Sequence, residues 1–180
     1  VLLVSFLMGI VFWGAFEQAG GLMNIYASEK TDRTLSFALP FIGNEVPASW
    51  FQSLNALFII LLGTSVAGFW AKRKLKGKTA TSLFKMTMGL IIMGSGFFFM
   101  TAASAQFQAN GASAMYWLVL AYLFHTVGEL CLSPVALSYI TKLAPLKYAS
   151  IMMGVYFAMT GFGNKVAGLL GESASELGEY

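Results

Sequence analysis

Five apolar stretches, each about as long as a membrane is thick, dominate this sequence. The hydrocarbon layer of a bilayer is about 30 Å thick, and a helix needs roughly 20 apolar residues to cross it. Because lipid offers no partners to backbone N–H and C=O groups, such a segment must be helical. The sequence therefore predicts an all-α, multi-pass transmembrane helical bundle, with spans at about 1–27, 50–71, 82–103, 114–142 and 148–171.

The composition excludes a soluble domain. Hydrophobic residues make up 57% of the chain and charged residues 11%, whereas a soluble domain carries about 25% charged residues. The net charge is +3, and the basic residues lie in short loops between apolar spans. Such loops are typical of membrane proteins. We therefore expect the lipid bilayer as a partner and no nucleic acid.

The distribution of basic residues predicts the orientation. Loops are expected at 28–49, 72–81, 104–113 and 143–147, and alternate loops share a side of the membrane. The second and fourth loop regions carry seven of the eleven basic residues. Because basic loops face the cytoplasm, we expect the N-terminus of this segment to be cytoplasmic, in a multi-pass protein of the cytoplasmic (inner) membrane.

A polar stripe crosses the fourth span. His125, Glu129 and Ser133 are spaced four residues apart and so share one helix face. An acidic residue near the bilayer centre costs roughly 2.5–3.5 kcal/mol on insertion scales, so it usually marks a pathway for ions or substrate. Pro134 predicts a helix break beside the stripe. We interpret Glu129 as a proton site or an anchor for a ligand ammonium, and His125 as a hydrogen-bonded neighbour or a relay member.

Two other spans carry polar residues at membrane depth. In the first span, Trp13 and Glu17 share a face, and Gln18 follows. Glu17 either pairs with a cation on a neighbouring helix or changes protonation as its partner moves. In the second span, Asn55 either makes an interhelical hydrogen bond or contacts a polar ligand.

The sequence contains no motif for catalysis. It has no nucleophile elbow, no phosphate-binding loop and no metal-ligand spacing. We therefore expect no enzyme activity, no catalytic residue, no metal and no cofactor.

Four segments of the sequence are distinctive, and they read FWGAFEQAGG, WFQSLNALFI, GELCLSPVALSYITKLAP and IMMGVYFAMTGFGNKVAG. Together they resemble the proton-dependent oligopeptide transporter (POT/PTR) family of the major facilitator superfamily. The likeness runs over nearly the whole chain, and the five spans look like helices seven to eleven of a twelve-helix core. The chain starts inside an apolar run without Met. We therefore expect residues 1–180 to be the C-terminal transmembrane bundle of a longer transporter. The N-terminal bundle of that transporter would then be its partner, and it is missing from this chain.

The resemblance implies proton-coupled symport of di- and tripeptides by alternating access, with protons as the coupling ion. In such transporters, Glu129 and Asn55 would hold the amino end of the peptide. Glu17 would pair with an arginine of the first helix and take part in proton coupling.

The resemblance also implies a set of residues that line the peptide pocket. Tyr156 stands where many members carry a tryptophan, which leaves the side-chain preference open. The other positions that map to the pocket are Trp13, Gln18 and Ser133.

Two alternatives stay open from the sequence. One is a major-facilitator carrier for another substrate, such as nitrate or a drug. The other is a non-transporting structural membrane subunit, which would show no saturable peptide uptake.

Overall fold

Long helices form most of the molecule, as the apolar stretches predict. The computed structural model describes residues 2–40 and 43–177. Its helices are α1 (Leu2–Phe16), α2 (Leu22–Glu29), α3 (Ser49–Leu75), α4 (Ser82–Asn110), α5 (Met115–Leu143) and α6 (Ala149–Leu177). Its short strands are β1 (Thr31–Asp32), β2 (Thr34–Leu39), β3 (Gly43–Glu45) and β4 (Ser113–Ala114).

Four of the five predicted spans meet the requirements for crossing a membrane. Among the described residues, these four are long and apolar enough: Leu2–Glu29, Ser49–Leu75, Ser82–Asn110 and Met115–Leu143. The fifth predicted span corresponds to α6, which is long enough at 29 residues. Asn164 and Lys165 interrupt its apolar sequence and lower its hydropathy. The multi-pass helical fold is thus confirmed, and α6 is the one long helix of the described residues that falls short of the required hydropathy.

The first and third loops meet at one end of the bundle. There β1 pairs with β4 in parallel, and the backbone N–H of Ser113 donates to the carbonyl of Lys30 at 2.9 Å. The first loop also contains the β2–β3 hairpin, beside which Arg33 and Glu45 form an ion pair of 2.6 Å. Because α3 and α5 both lead away from this end, the basic loops 72–81 and 143–147 lie at the opposite end.

The first predicted span is interrupted. A 3-10 turn at Glu17–Ala19 and the residues Gly20 and Gly21 separate α1 from α2. Gly21 has φ −97° and ψ −102°, which is outside the helical region. The prediction of one helix over 1–27 is therefore corrected to two helices joined at a break.

The predicted helix break at Pro134 is wrong. Helix α5 runs without interruption from Met115 to Leu143, with Pro134 inside it. Transmembrane helices tolerate proline where the surroundings compensate the freed backbone groups.

Close packing of backbones holds the helices together. A Cβ atom on Gly128 of α5 would lie only 2.7 Å from the carbonyl oxygen of Gly89 on α4. A Cβ atom on Gly163 of α6 would lie 2.8 Å from the carbonyl oxygen of Ile10 on α1. Small residues at crossings are how transmembrane helices gain contact, since the lipid competes for apolar surface. The fold therefore contains two tightly packed pairs, α4 with α5 and α1 with α6.

Candidate functional site

Asn55 and Glu129 form a hydrogen-bonded pair between α3 and α5. The Nδ2 atom of Asn55 donates to Oε2 of Glu129 at 2.9 Å and to Oγ1 of Thr126 at 3.1 Å. A carboxylate only accepts hydrogen bonds, which fixes the orientation of the Asn55 amide. Both amide hydrogens are thus engaged, which leaves Oδ1 of Asn55 as the acceptor atom of this amide.

Thr126 supports this pair, and the sequence reasoning missed it. Its side chain is fully buried, and its hydroxyl donates to the carbonyl of Tyr122 at 2.8 Å. The hydroxyl hydrogen is therefore occupied, which leaves Oγ1 to accept from Asn55. Because Thr126 precedes Glu129 by three residues, the two share a helix face. That spacing is the signal that could have identified Thr126 from the sequence.

A cavity connects the pair to the break in the first span. It has a volume of about 140 Å³. Glu17 lines it from the break, Asn55 from α3 and His125 from α5. Its other lining residues are Phe16, Ala19, Gly20, Gln52 and Tyr122. Glu17 and Asn55 therefore line one cavity, and Glu129 is hydrogen-bonded to Asn55 in the wall of that cavity.

Neighbouring helices satisfy the backbone at the break. The hydroxyl of Tyr122 on α5 donates to the carbonyl of Ala19 at 2.6 Å. The Nε2 atom of Gln18 donates to the carbonyl of Ala167 on α6 at 3.1 Å. Irregular backbone at membrane depth is tolerated where protein covers it or where it lines a cavity. Tyr122 is a second residue that the sequence reasoning missed, and its position seven residues before Glu129 places it near the same stripe.

Glu17 lies at the break itself with a half-buried side chain. It also lines a larger cavity of about 430 Å³ between the break and α6. Within the described residues, Arg33 and Glu45 form an ion pair, and no ion pair there involves Glu17. Glu17 thus meets two cavities, and no cation from residues 2–40 or 43–177 pairs with it.

Trp13 and Gln18 make their contacts with α6, away from the Asn55–Glu129 pair. The indole Nε1 of Trp13 donates to the hydroxyl of Tyr156 at 3.4 Å. Tyr156 is 2% exposed, and its ring packs close to Gly9. These contacts lie in the α1–α6 interface rather than at the Asn55–Glu129 pair.

The polar stripe on α5 is not a hydrogen-bonded chain. His125 is fully buried, and neither ring nitrogen has a hydrogen-bond partner within the described part of the protein. Its ring packs against Phe97, with centroids 4.7 Å apart. Ser133 is half-buried, one turn beyond Glu129. The reading of His125 as a hydrogen-bonded member of this stripe is therefore wrong for this conformation.

The described residues contain no group of three His, Cys, Asp or Glu side chains placed to hold a metal.

Comparison with known sequences gives a consistent group of relatives. The sequence profile of the POT family matches residues 1–177. The peptide transporter YePEPT of Yersinia enterocolitica is 38% identical over 175 residues, covering 94% of this chain and 33% of that protein. A di-/tripeptide transporter of Lactococcus lactis subsp. cremoris is 33% identical over 153 residues, covering 84% of this chain and 30% of that protein. The chain thus spans about a third of the length of these relatives.

Solved structures give the same grouping. The peptide transporter POT in complex with sulfate superposes with a TM-score of 0.78 at 31% identity, covering 93% of this chain and 32% of that one. A POT family transporter in complex with 5-aminolevulinic acid gives a TM-score of 0.80 at 28% identity, covering 97% of this chain and 35% of that one. With the family profile matched over residues 1–177, the chain belongs to the POT family, whose members are membrane transporters and not enzymes.

Proposed function

We propose that residues 1–180 are the C-terminal bundle of a proton-coupled symporter for di- and tripeptides. In this proposal the bundle works by alternating access against an N-terminal bundle of the same protein. The named relatives are peptide and di-/tripeptide transporters, which supports the substrate class. The protein would lie in the cytoplasmic membrane, with the basic loops and the N-terminus of this segment on the cytoplasmic side.

The Asn55–Glu129 pair carries the proposal. A peptide's terminal ammonium is a cation with three N–H donors, so it needs acceptors, preferably charged ones. The Glu129 carboxylate and the free Oδ1 of Asn55 supply such acceptors inside a membrane span. The pair therefore suits the amino end of a peptide, because the negative Glu129 carboxylate would meet the positive ammonium.

Replacing the Glu129 carboxylate tests this assignment. In the full-length transporter, Glu129→Gln should weaken binding of dialanine about 10- to 100-fold, because a hydrogen bond to a charged group contributes about 1.5–3 kcal/mol. N-acetyl-dialanine has no ammonium, so its weaker binding should change little. Competition against labelled peptide measures both. Equal losses for the two ligands would argue against an ammonium contact.

In the same proposal, Glu17 couples transport to protons. Its side chain lies between two cavities and has no cation partner within the described residues. An arginine from the N-terminal bundle would pair with it, and protonation of Glu17 would break that pair and favour reorientation. Proton entry down the membrane potential supplies about 2.3 kcal/mol per charge per 100 mV.

Glu17→Gln should therefore abolish proton-driven accumulation while peptide counterflow continues. Both assays use the full-length protein in proteoliposomes. Glu172→Gln serves as the matched control, because Glu172 is an exposed carboxylate near the end of α6. Normal proton-driven accumulation by Glu17→Gln would exclude Glu17 as the coupling group.

The remaining predicted pocket residues have supporting roles in this proposal. Trp13, Gln18 and Tyr156 hold the α1–α6 interface beside the break. Ser133 would line the pocket one turn from Glu129.

A second candidate function is transport of another small substrate with an amine. One neighbour of known structure is a POT family transporter in complex with 5-aminolevulinic acid, whose amine the same pair could bind. Competition between dialanine and 5-aminolevulinic acid in the full-length protein separates the two candidates, because only a peptide carrier prefers dialanine.

A further inference from the structure

An apolar groove lies between α3, α4 and α5 at the basic end of the bundle. Its volume is about 410 Å³. It is separate from the two cavities that Glu17 lines, since none of its lining residues lines either of them. The groove is lined by Ser65, Val66, Phe69, Trp70, Arg73, Phe84, Met88, Ile92, Val127 and Cys131.

The groove has an apolar surface that suits the part of a hydrocarbon chain nearest its head group. On α3 it runs from Arg73 to Ser65, which corresponds to about 12 Å along a helix. Phe69 is 57% exposed and Phe84 46% exposed, so aromatic rings form accessible walls on both sides. The groove thus begins at the charged end and leads toward the apolar middle of the spans.

Cations are concentrated at the charged end of the groove. Arg73 lines the groove, and its Nε atom is buried without a hydrogen-bond partner. The ammonium of Lys85 lies 5.2 Å from the centroid of the Trp70 ring. Further basic residues follow in the adjoining loop, namely Lys74, Lys76 and Lys78.

These cations have no carboxylate to neutralise them in this part of the chain. Between residues 46 and 171 the sequence contains one acidic residue, Glu129. That carboxylate accepts a hydrogen bond from Asn55, inside the bundle. An anion from outside the chain is therefore the natural partner for Arg73, which lines the groove, and for Lys85 beside the Trp70 ring.

We propose that this groove binds an anionic phospholipid. The phosphate contacts Arg73 and Lys85 at the membrane interface, and one acyl chain occupies the groove toward Ser65. Basic pockets between transmembrane helices bind anionic head groups in this way. Trp70 at the same level suits the interface, where indole rings are enriched. The site does not depend on the proposed transport function.

Native mass spectrometry of the full-length protein in detergent tests the proposal. The protein is titrated with phosphatidylglycerol or with phosphatidylcholine of the same acyl chains. Phosphatidylglycerol should bind more tightly, and Arg73→Gln should weaken its binding about fivefold, since one basic residue near anionic lipid contributes about 1 kcal/mol. Lys76→Gln removes an exposed charge that does not line the groove, and should change binding less than twofold.

A second variant tests the acyl-chain part. Val66→Trp fills the groove without changing charge, and should also reduce retention of phosphatidylglycerol. Thermal unfolding of each variant confirms that it is folded. Equal binding of the two lipids, equal losses in Arg73→Gln and Lys76→Gln, or absence of bound lipid because the rest of the protein covers the groove would overturn the proposal. Displacement of the lipid by inorganic phosphate alone would overturn it as well, since the site would then recognise phosphate and not the lipid.

Discussion

The first span and α5 contrast in where their helices are interrupted. The first span has no proline, yet its helix breaks at Glu17–Gly21, whereas α5 contains Pro134 and continues through it. The residue type that most disfavours a helix is thus present where the helix is intact. Two consecutive glycines, Gly20 and Gly21, weaken the helix at the break, and contacts from neighbouring helices stabilise both the break and the continuous α5.

At the break, neighbouring helices provide hydrogen-bond partners for one backbone carbonyl and one side chain. Tyr122 donates to the carbonyl of Ala19, and Gln18 reaches the carbonyl of Ala167. In α5, by contrast, Gly128 lets the backbone of α4 approach closely, and this packing keeps the helix in place. Pro134 itself is exposed, so its ring fills no space in the core.

Removing the Tyr122 hydroxyl should have the largest effect on this contrast. Tyr122→Phe leaves the buried carbonyl of Ala19 without its partner, which costs about 1–3 kcal/mol. We expect a lower temperature of unfolding for the full-length protein, together with faster hydrogen exchange around residues 17–21. Tyr116→Phe is the control, because Tyr116 is 52% exposed on the same helix. Equal effects of the two substitutions would show that Tyr122 does not stabilise the break.

Pro134→Ala should have a smaller effect of opposite sign. Alanine restores the missing backbone N–H and suits a helix better, so we expect a gain of up to about 1 kcal/mol in stability. Because α5 is already continuous, peptide uptake by the full-length variant should be unchanged. Lost uptake with a folded protein would mean that the proline bends α5 in a way that transport needs.

Hydropathy predicts the number and order of the long helices because it reflects the bilayer itself. Loops one and three meet through Thr31 and Ser113, as alternate crossings require. Hydropathy does not determine where helices end, however. Helix α4 continues to Asn110, beyond the predicted limit at 103, because hydrogen bonding within a helix continues in the polar segment after the membrane.

The candidate site is only partly readable from the sequence. The polarity of Asn55 and Glu129 within apolar spans singles out both residues, and the structure joins them. Their supports Thr126 and Tyr122 were missed because uncharged hydroxyl groups are unremarkable in a span. The spacing of four residues places His125 on the same helix face as Glu129, but the His125 ring packs against the ring of Phe97. Sharing a helix face does not determine which way a side chain turns.

Asn55 and Glu129 are proposed to act as one unit on the peptide ammonium, and a double-mutant cycle measures whether they do. Dialanine affinity is measured for the full-length protein, Asn55→Ala, Glu129→Gln and the double variant. We expect Asn55→Ala to cost little once Glu129 is replaced, with a coupling energy of about 0.5–3 kcal/mol, and we expect no such coupling for N-acetyl-dialanine. Strictly additive losses of dialanine affinity would show that the two residues bind the ammonium independently or not at all.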